Sequence, residues 1–320
     1  MDTEGDAERG VRHVLVPEPM MPYAVDALSR LCRVRHDPML LHDRPALLKA
    51  LAQAHALLIG PRLRLDAELL GAARKLRFVG HTAPHQAPEA AALCESHGIT
   101  FVTASGAYAQ AVAEYVIGMA LLLRRGVAEH SARVAAGQWP QAALVRGREV
   151  FGATLGLVGF GVTGQMTAKL AQGLGMRVVA HDPAIAMDEP MWSRRAVRPM
   201  FLDELLKTAD VVSLHVPLTP QTRGLVDAAA IASMKRGAVL INTSQGAVLD
   251  LQAVALALQG GQLSGAALDV FEHEPLAATL SFADCPNLVL TPHVAGITQE
   301  SSGRAARIVA ERLALALGLV

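Results

Sequence analysis

The sequence predicts an α/β protein made of two doubly wound parallel sheets. Three observations carry this. A chain of 320 residues is too long for one ordinary core. Short apolar runs alternate with helical patterns from end to end, as parallel strands joined by crossover helices require. One of these strand-to-helix junctions is a glycine-rich turn, Gly159-Phe160-Gly161-Val162-Thr163-Gly164.

The elements follow in order. The first part predicts strands at 13–16, 56–59, 76–79 and 100–102, with helices such as 46–54 and 88–96 between them. Together they make an α/β unit of about 100 residues. A long helix is expected over 110–124, apolar on much of its surface, and a second helix runs to Gly137. The second unit opens at Gly152. Its strand 154–158 enters the glycine-rich turn, and a helix continues to Leu174. Strand 177–181 ends at Asp182, and further strands are expected at 211–215, 239–243, 266–270 and 288–290. A last helix, 299–317, has no strand after it. No repeat of 20–50 residues and no low-complexity linker is present.

Composition excludes several classes. Hydrophobic content is 52% and charged content 18%, those of a globular protein with ample core material. Lys+Arg and Asp+Glu are both 29, so no basic excess marks a nucleic-acid surface. The three cysteines, Cys32, Cys94 and Cys285, are few and widely separated, which fits reduced thiols rather than a disulfide framework or a metal site. The segment 1–10 is acidic and polar, reading as a frayed tail rather than a signal peptide. The longest apolar run, 115–123, is too short to span a bilayer. A cytoplasmic location without membrane, nucleic-acid or metal partners is expected.

The glycine-rich turn points to a dinucleotide. It follows a strand, opens a helix, and an acidic residue, Asp182, ends the next strand 18 residues after Gly164. Gly159 permits the tight turn. Gly161 lets the backbone approach a pyrophosphate, whose charge the helix N-terminus favours. Gly164 allows close packing of helix on strand. Asp182 would accept hydrogen bonds from ribose hydroxyls and repel a 2′-phosphate, so NAD is expected over NADP. A plain α/β turn without ligand is the bland alternative.

From Phe151 onward the chain resembles the D-isomer-specific 2-hydroxyacid dehydrogenases. The matching segments are 156–164, 175–183, 209–225 (ADVVSLHVPLTPQTRGL), 234–250, 265–275 (GAALDVFEHEP) and 290–296 (LTPHVAG), with 111–115 (AVAEY) upstream. The resemblance implies a Rossmann NAD domain over 106–296 inserted in a flavodoxin-like substrate domain of 1–105 plus 297–320. It also implies a homodimer through the helices of 110–137, and hydride transfer between nicotinamide and the C2 carbon of a 2-hydroxy or 2-oxo acid. Within that family pattern the proton-exchanging histidine maps onto His293. The carboxylate that holds it and raises its pKa maps onto Glu274, although Glu272 is as plausible on composition alone. Asp269 matches the residue that meets the nicotinamide carboxamide; alternatively it bonds backbone at a strand end. Val216 and Pro217 match the loop over the adenine side. Thr243, Ser244 and Gln245 match a segment lining the nicotinamide, and Ala295 lies beside His293 in the same cofactor-facing run.

The pattern breaks on the substrate side. The family arginine that binds the substrate carboxylate falls at Gln245, 29 residues before Glu274. Glutamine offers neutral amide donors where arginine offers charge and a bidentate fork. The loop that usually presents backbone N–H groups to the carboxylate carries Ala83, Pro84 and His85, and proline removes a donor. Tyr108 replaces a usual asparagine, and Val162 an arginine that often contacts the pyrophosphate. These changes lead to three readings. The first is an active dehydrogenase with an altered pocket, in which His81, His85 or another arginine supplies the missing charge. The second is an impaired NAD-binding relative acting as a sensor or scaffold. The third is different chemistry from the same His293–Glu274 pair. Retention of that pair favours the first.

Overall fold

A computed structural model describes residues 12–83, 87–139, 147–277, 282 and 285–319. The chain divides into two compact units, one of Met1–Tyr108 with Thr298–Val320 and the other of Ala109–Ile297.

In the first unit, strands β1 (His13–Val16), β2 (Arg33–His36), β3 (Ala56–Ile59), β4 (Phe78–His81) and β5 (Thr100–Thr103) form a parallel sheet in the order β2-β1-β3-β4-β5. Alternate residues serve opposite faces, as the two-residue period of a strand demands. Val14, Val16, Ala56 and Leu58 pack on helix α1 (Pro22–Ser29) and the chain's last helix, Gln299–Ala316. Leu15, Leu57, Ile59 and Val79 pack on the other face, against α2 (Arg44–Leu51), α3 (Ala67–Ala72) and α4 (Ala87–Ser96). Asp43 and Asp66 cap α2 and α3 by accepting from Ala46 N and Leu69 N. The last helix opens with a capping box between Thr298 and Ser301.

The second unit begins with α5 (Ala109–Arg125) and α6 (Val127–Ala135). Its strands are β6 (Thr154–Val158), β7 (Arg177–His181), β8 (Arg198–Pro199), β9 (Val211–Leu214), β10 (Ala238–Asn242), β11 (Leu263–Leu268) and β12 (Leu288–Leu290). All are parallel, in the order β12-β11-β10-β9-β6-β7-β8. Leu155, Leu157, Val211, Val239 and Ile241 share a core with residues of α5, α7 (Val162–Gly173) and α8 (Met191–Arg194). Val212, Leu214, Leu240 and Leu268 meet α9 (Leu202–Thr208), α10 (Ala228–Ser233) and α11 (Leu251–Gln259) across the other face. The last helix, α12, belongs to the first unit. Among the described residues no helix is long and apolar enough to cross a membrane.

Two strands escape an apolar-run criterion. β2 reads Arg-Val-Arg-His and is mostly exposed; only its backbone pairing with β1 makes it a strand. β8 is two residues at the opposite edge of the other sheet. β4 starts at Phe78 rather than at 76, because its ladder pairs Ala56 with Phe78. The division between units falls at 108/109 because Ala104, Ala107 and Tyr108 pack into the first unit's core. Arg304 Nε fixes that turn by donating to Ala107 O at 3.0 Å.

Candidate active site

In the second unit the turn after β6 is shaped by contact. Gly159 has φ 96°, and a Cβ there would stand 2.4 Å from His215 O. One at Gly164 would stand 2.5 Å from Gly159 O. Nothing lies within 4 Å of where a Cβ at Gly161 would be, so backbone at the start of α7 is open to a ligand. Gly161 is the N-cap of α7 and supplies no side-chain cap, leaving the helix terminus suited to an anion. Val162 is exposed at that terminus, with Thr163 beside it. Phe160 is different: its ring is buried and stacked on Trp192 at 4.8 Å, and its N–H donates to Asp182 Oδ2 at 2.8 Å. The phenylalanine therefore builds the turn, and its side chain has no surface for a ligand. Asp182 Oδ1 also accepts from Ala184 N, which fixes the carboxylate at the end of β7. A carboxylate offers about four acceptor positions, so capacity for ribose hydroxyls remains.

The loops after β11 and β12 meet. Glu274 Oε1 accepts from Phe271 N at 3.0 Å, and Oε2 lies 2.9 Å from His293 Nδ1. A carboxylate only accepts, so Nδ1 carries the proton and Nε2 is the nitrogen presented for chemistry. Glu272 is turned elsewhere, paired with Arg223 at 2.8 Å. His293 itself sits at φ 57°, the left-handed region that costs a non-glycine residue about 1–3 kcal/mol and persists only where surroundings impose it.

The imposing group is Asp269, which is buried. Its Oδ1 accepts from Thr291 Oγ1 at 2.5 Å and Val294 N at 2.8 Å; Oδ2 accepts from Ala295 N at 2.8 Å; its carbonyl accepts from His293 N at 2.8 Å. Asp269 thus bonds backbone at a strand end, and its carboxylate is committed largely to the His293 loop. Thr291 was not among the residues expected from sequence; its signal is a hydroxyl two residues before the histidine.

The turn after β10 is fixed by Asn242, another residue the motifs did not single out. Fully buried, it accepts from Ser244 N at 3.0 Å and Ser244 Oγ at 2.8 Å through Oδ1, and Nδ2 donates to Gln245 O at 3.0 Å. Thr243 Oγ1 is buried with no protein hydrogen-bond partner, an orphan that a bound polar group would satisfy. Gln245 is half-buried. The next residue, Gly246, is pressed on the loop that carries Glu274: a Cβ there would lie 1.9 Å from Phe271 C and 2.2 Å from Glu272 N. Past β9 come Val216, half-buried, and Pro217, exposed. His215, before them, is pushed down to about 4 by burial and receives or donates one bond with Ser213 Oγ at 3.0 Å.

In the first unit, Tyr108 O–H donates to Thr82 O at 2.7 Å and burial raises its pKa. Ala83 is buried, and its N–H donates to His81 Nδ1 at 3.0 Å. His81 is itself buried. Pro84 and His85 lie outside the described residues. Among the described residues no group of three or more His, Cys, Asp or Glu could hold a metal ion.

The family described as D-isomer specific 2-hydroxyacid dehydrogenase, NAD binding domain, matches residues 117–295. An (S)-sulfolactate dehydrogenase of Chromohalobacter salexigens is 44% identical over 308 residues, covering 96% of this chain and 98% of that one. A D-3-phosphoglycerate dehydrogenase of Mycobacterium leprae is 35% identical over 86% of this chain, which spans about half (51%) of that protein's length. The crystal structure of D-lactate dehydrogenase from Aquifex aeolicus complexed with NAD and lactic acid is 28% identical, with a TM-score of 0.75 over 96% of each chain. The orphaned Thr243 hydroxyl, the open Gly161 backbone and the carboxylate of Asp182 fit the NAD that such a domain binds. The chain belongs to the D-isomer specific 2-hydroxyacid dehydrogenase family and is an NAD-dependent oxidoreductase acting on CH–OH groups.

Proposed function

We propose that this protein interconverts a 2-hydroxy acid and its 2-oxo acid, with His293 as the acid/base and Glu274 as its partner. The observation that carries the reading is the 2.9 Å contact between His293 Nδ1 and Glu274 Oε2 on a strained loop. Bound NAD supplies the hydride acceptor. In the oxidising direction the substrate hydroxyl gives its proton to His293 Nε2 while the C2 hydrogen leaves with its electron pair. Glu274 keeps Nδ1 protonated and so fixes which nitrogen is basic. In the cofactor site, Gly159, Gly161, Val162, Thr163 and Gly164 would hold the pyrophosphate and Asp182 the ribose. Val216, Pro217, Thr243, Ser244 and Ala295 would line the remainder. Ala83 and Tyr108 are proposed on the substrate side by resemblance, within a substrate domain formed by the unit of Met1–Tyr108 with Thr298–Val320. A homodimer through 110–137 is also proposed; exposed Leu121, Val127 and Val134 on those helices are suited to a partner.

Gln245 decides the substrate. Two lost charge-assisted bonds at ~1.5–3 kcal/mol each correspond to ~10²- to 10⁴-fold in rate on a substrate recognised by its carboxylate alone. The 44% identical relative is named for sulfolactate, a hydroxy acid with a second anionic group, and that name is what puts a sulfonate forward as the substrate. The test is turnover with NADH of sulfopyruvate, pyruvate, glyoxylate and neutral carbonyls by wild type and Gln245→Arg. Wild type is expected to favour the sulfonate, and the arginine variant to gain on pyruvate and glyoxylate. NADH binding without turnover of any carbonyl would instead indicate a cofactor-binding sensor or scaffold.

A further inference from the structure

The His293 loop is tied to α5 through a directed chain of hydroxyls. Tyr115, half-buried on α5, has its phenolic oxygen 2.7 Å from Thr291 Oγ1. Thr291 Oγ1 is in turn 2.5 Å from Asp269 Oδ1. The direction is settled by chemistry. The Asp269 carboxylate only accepts, so the single hydroxyl proton of Thr291 goes to it. Thr291 can then only accept from Tyr115, and the chain runs Tyr115 O–H to Thr291 O–H to Asp269. Asp269 also holds Val294 N, Ala295 N and His293 N, the backbone that keeps His293 at φ 57°. Bonds in series polarise one another, so the donor at the head of the chain strengthens the clamp at its foot.

We propose that Tyr115 is a positioning residue for His293, acting through Thr291 and Asp269 on the loop that presents the imidazole; this rests on the acid/base role of His293 proposed above. Its hydroxyl lies remote from the reacting atoms in bonding order, three links from the His293 backbone. Loss of that hydroxyl therefore weakens presentation of the ring, while the glycine-rich turn after β6 and the loops after β9 and β10, which would supply the cofactor site except for Ala295, are untouched. The effect belongs in kcat rather than in cofactor affinity. A role in core packing alone would lower the melting temperature and leave His293 as it was.

The test uses the full chain. Tyr115→Phe keeps the ring and removes the donor; it is expected to lower kcat about tenfold, the worth of one weakened hydrogen bond, with NADH affinity and melting temperature nearly unchanged. Thr291→Val should cost more and Thr291→Ser should restore most of the rate. The double variant Tyr115→Phe/Thr291→Val should be no worse than Thr291→Val, because the two act in one chain. With ¹⁵N-histidine the Nδ1–H of His293, assigned by its absence in His293→Gln, should be a protected signal in wild type and broadened in Tyr115→Phe. Surface Tyr23→Phe serves as the control and should change nothing. The proposal is overturned if Tyr115→Phe leaves both kcat and that signal unchanged, or if the losses of the two single variants multiply. Full activity in His293→Gln would instead overturn the acid/base reading, and the NMR signal would still report on Tyr115 by itself.

Discussion

His293 Nδ1 stands 2.9 Å from Glu274 Oε2, and the two residues reach each other from loops that follow the neighbouring parallel strands β11 and β12. The pairing is a product of strand order. Both are then fixed from the segment after β11, Glu274 by Phe271 N and the histidine loop by Asp269.

That double anchoring leads to a graded expectation. His293→Gln should lower turnover by ~10²- to 10⁴-fold, the usual worth of a general acid/base, and Glu274→Gln by less, because the imidazole remains. NADH affinity, read by fluorescence titration, should stay within a few-fold of wild type in both. Comparable loss of cofactor binding would show that the pair serves the cofactor rather than the proton.

Gly246 is predicted to tolerate no side chain. The Cβ of Gly246→Ala would fall 1.9 Å from Phe271 C, and backbone cannot swing aside as a flexible side chain would. Overpacking costs about 1–3 kcal/mol where the core can adjust. Here the displaced segment carries Glu274, so activity should fall further than stability. Urea unfolding together with kcat would separate the two losses; an alanine variant with wild-type kcat would contradict the packing argument.

Cofactor choice is expected to rest on Asp182. A 2′-phosphate would meet a fixed carboxylate, so NADPH should bind at least ~10²-fold more weakly than NADH. Asp182→Ser should narrow that ratio chiefly by weakening NADH, since the ribose loses an acceptor. Equal affinity of wild type for both cofactors would remove Asp182 from this role.

Acid should destabilise the fold through His215. Burial depresses its pKa to about 4, against about 6.5 in an unfolded chain. Because the unfolded state takes up the proton first, this stability is present above about pH 6.5 and is lost as pH falls from there towards 4. The linkage is on the order of 3 kcal/mol across that window. His215→Gln should flatten the slope of unfolding free energy against pH between 6.5 and 4. A parallel slope in wild type and variant would place the acid sensitivity elsewhere.

Much of the fold was legible because it is written locally. The strands β3, β6, β7 and β9 have mostly apolar, buried interiors bounded by turns, as a doubly covered parallel sheet requires. β2 was illegible for the same reason in reverse: at an exposed edge its Arg-Val-Arg-His needs only backbone partners. In the site, glycines and motif residues could be read because sterics and charge restrict them position by position. Thr291 and Tyr115 could not, since their importance lies in partners 22 and 176 residues away.

By itself, then, the sequence determined the parallel α/β architecture, the nucleotide turn with Asp182, the candidate pair His293 and Glu274, and the departure at Gln245. The first two depend on residue type at a fixed spacing along the chain; the pair and the departure are what the resemblance to the 2-hydroxyacid dehydrogenases implies. Tertiary structure alone decided that Glu274 touches the histidine at 2.9 Å while Glu272 pairs with Arg223, that Asp269 clamps the histidine loop, and that Ala83 N donates to buried His81. These depend on which loops strand order makes neighbours and on which donors remain for each buried acceptor, and neither is a property of any one segment.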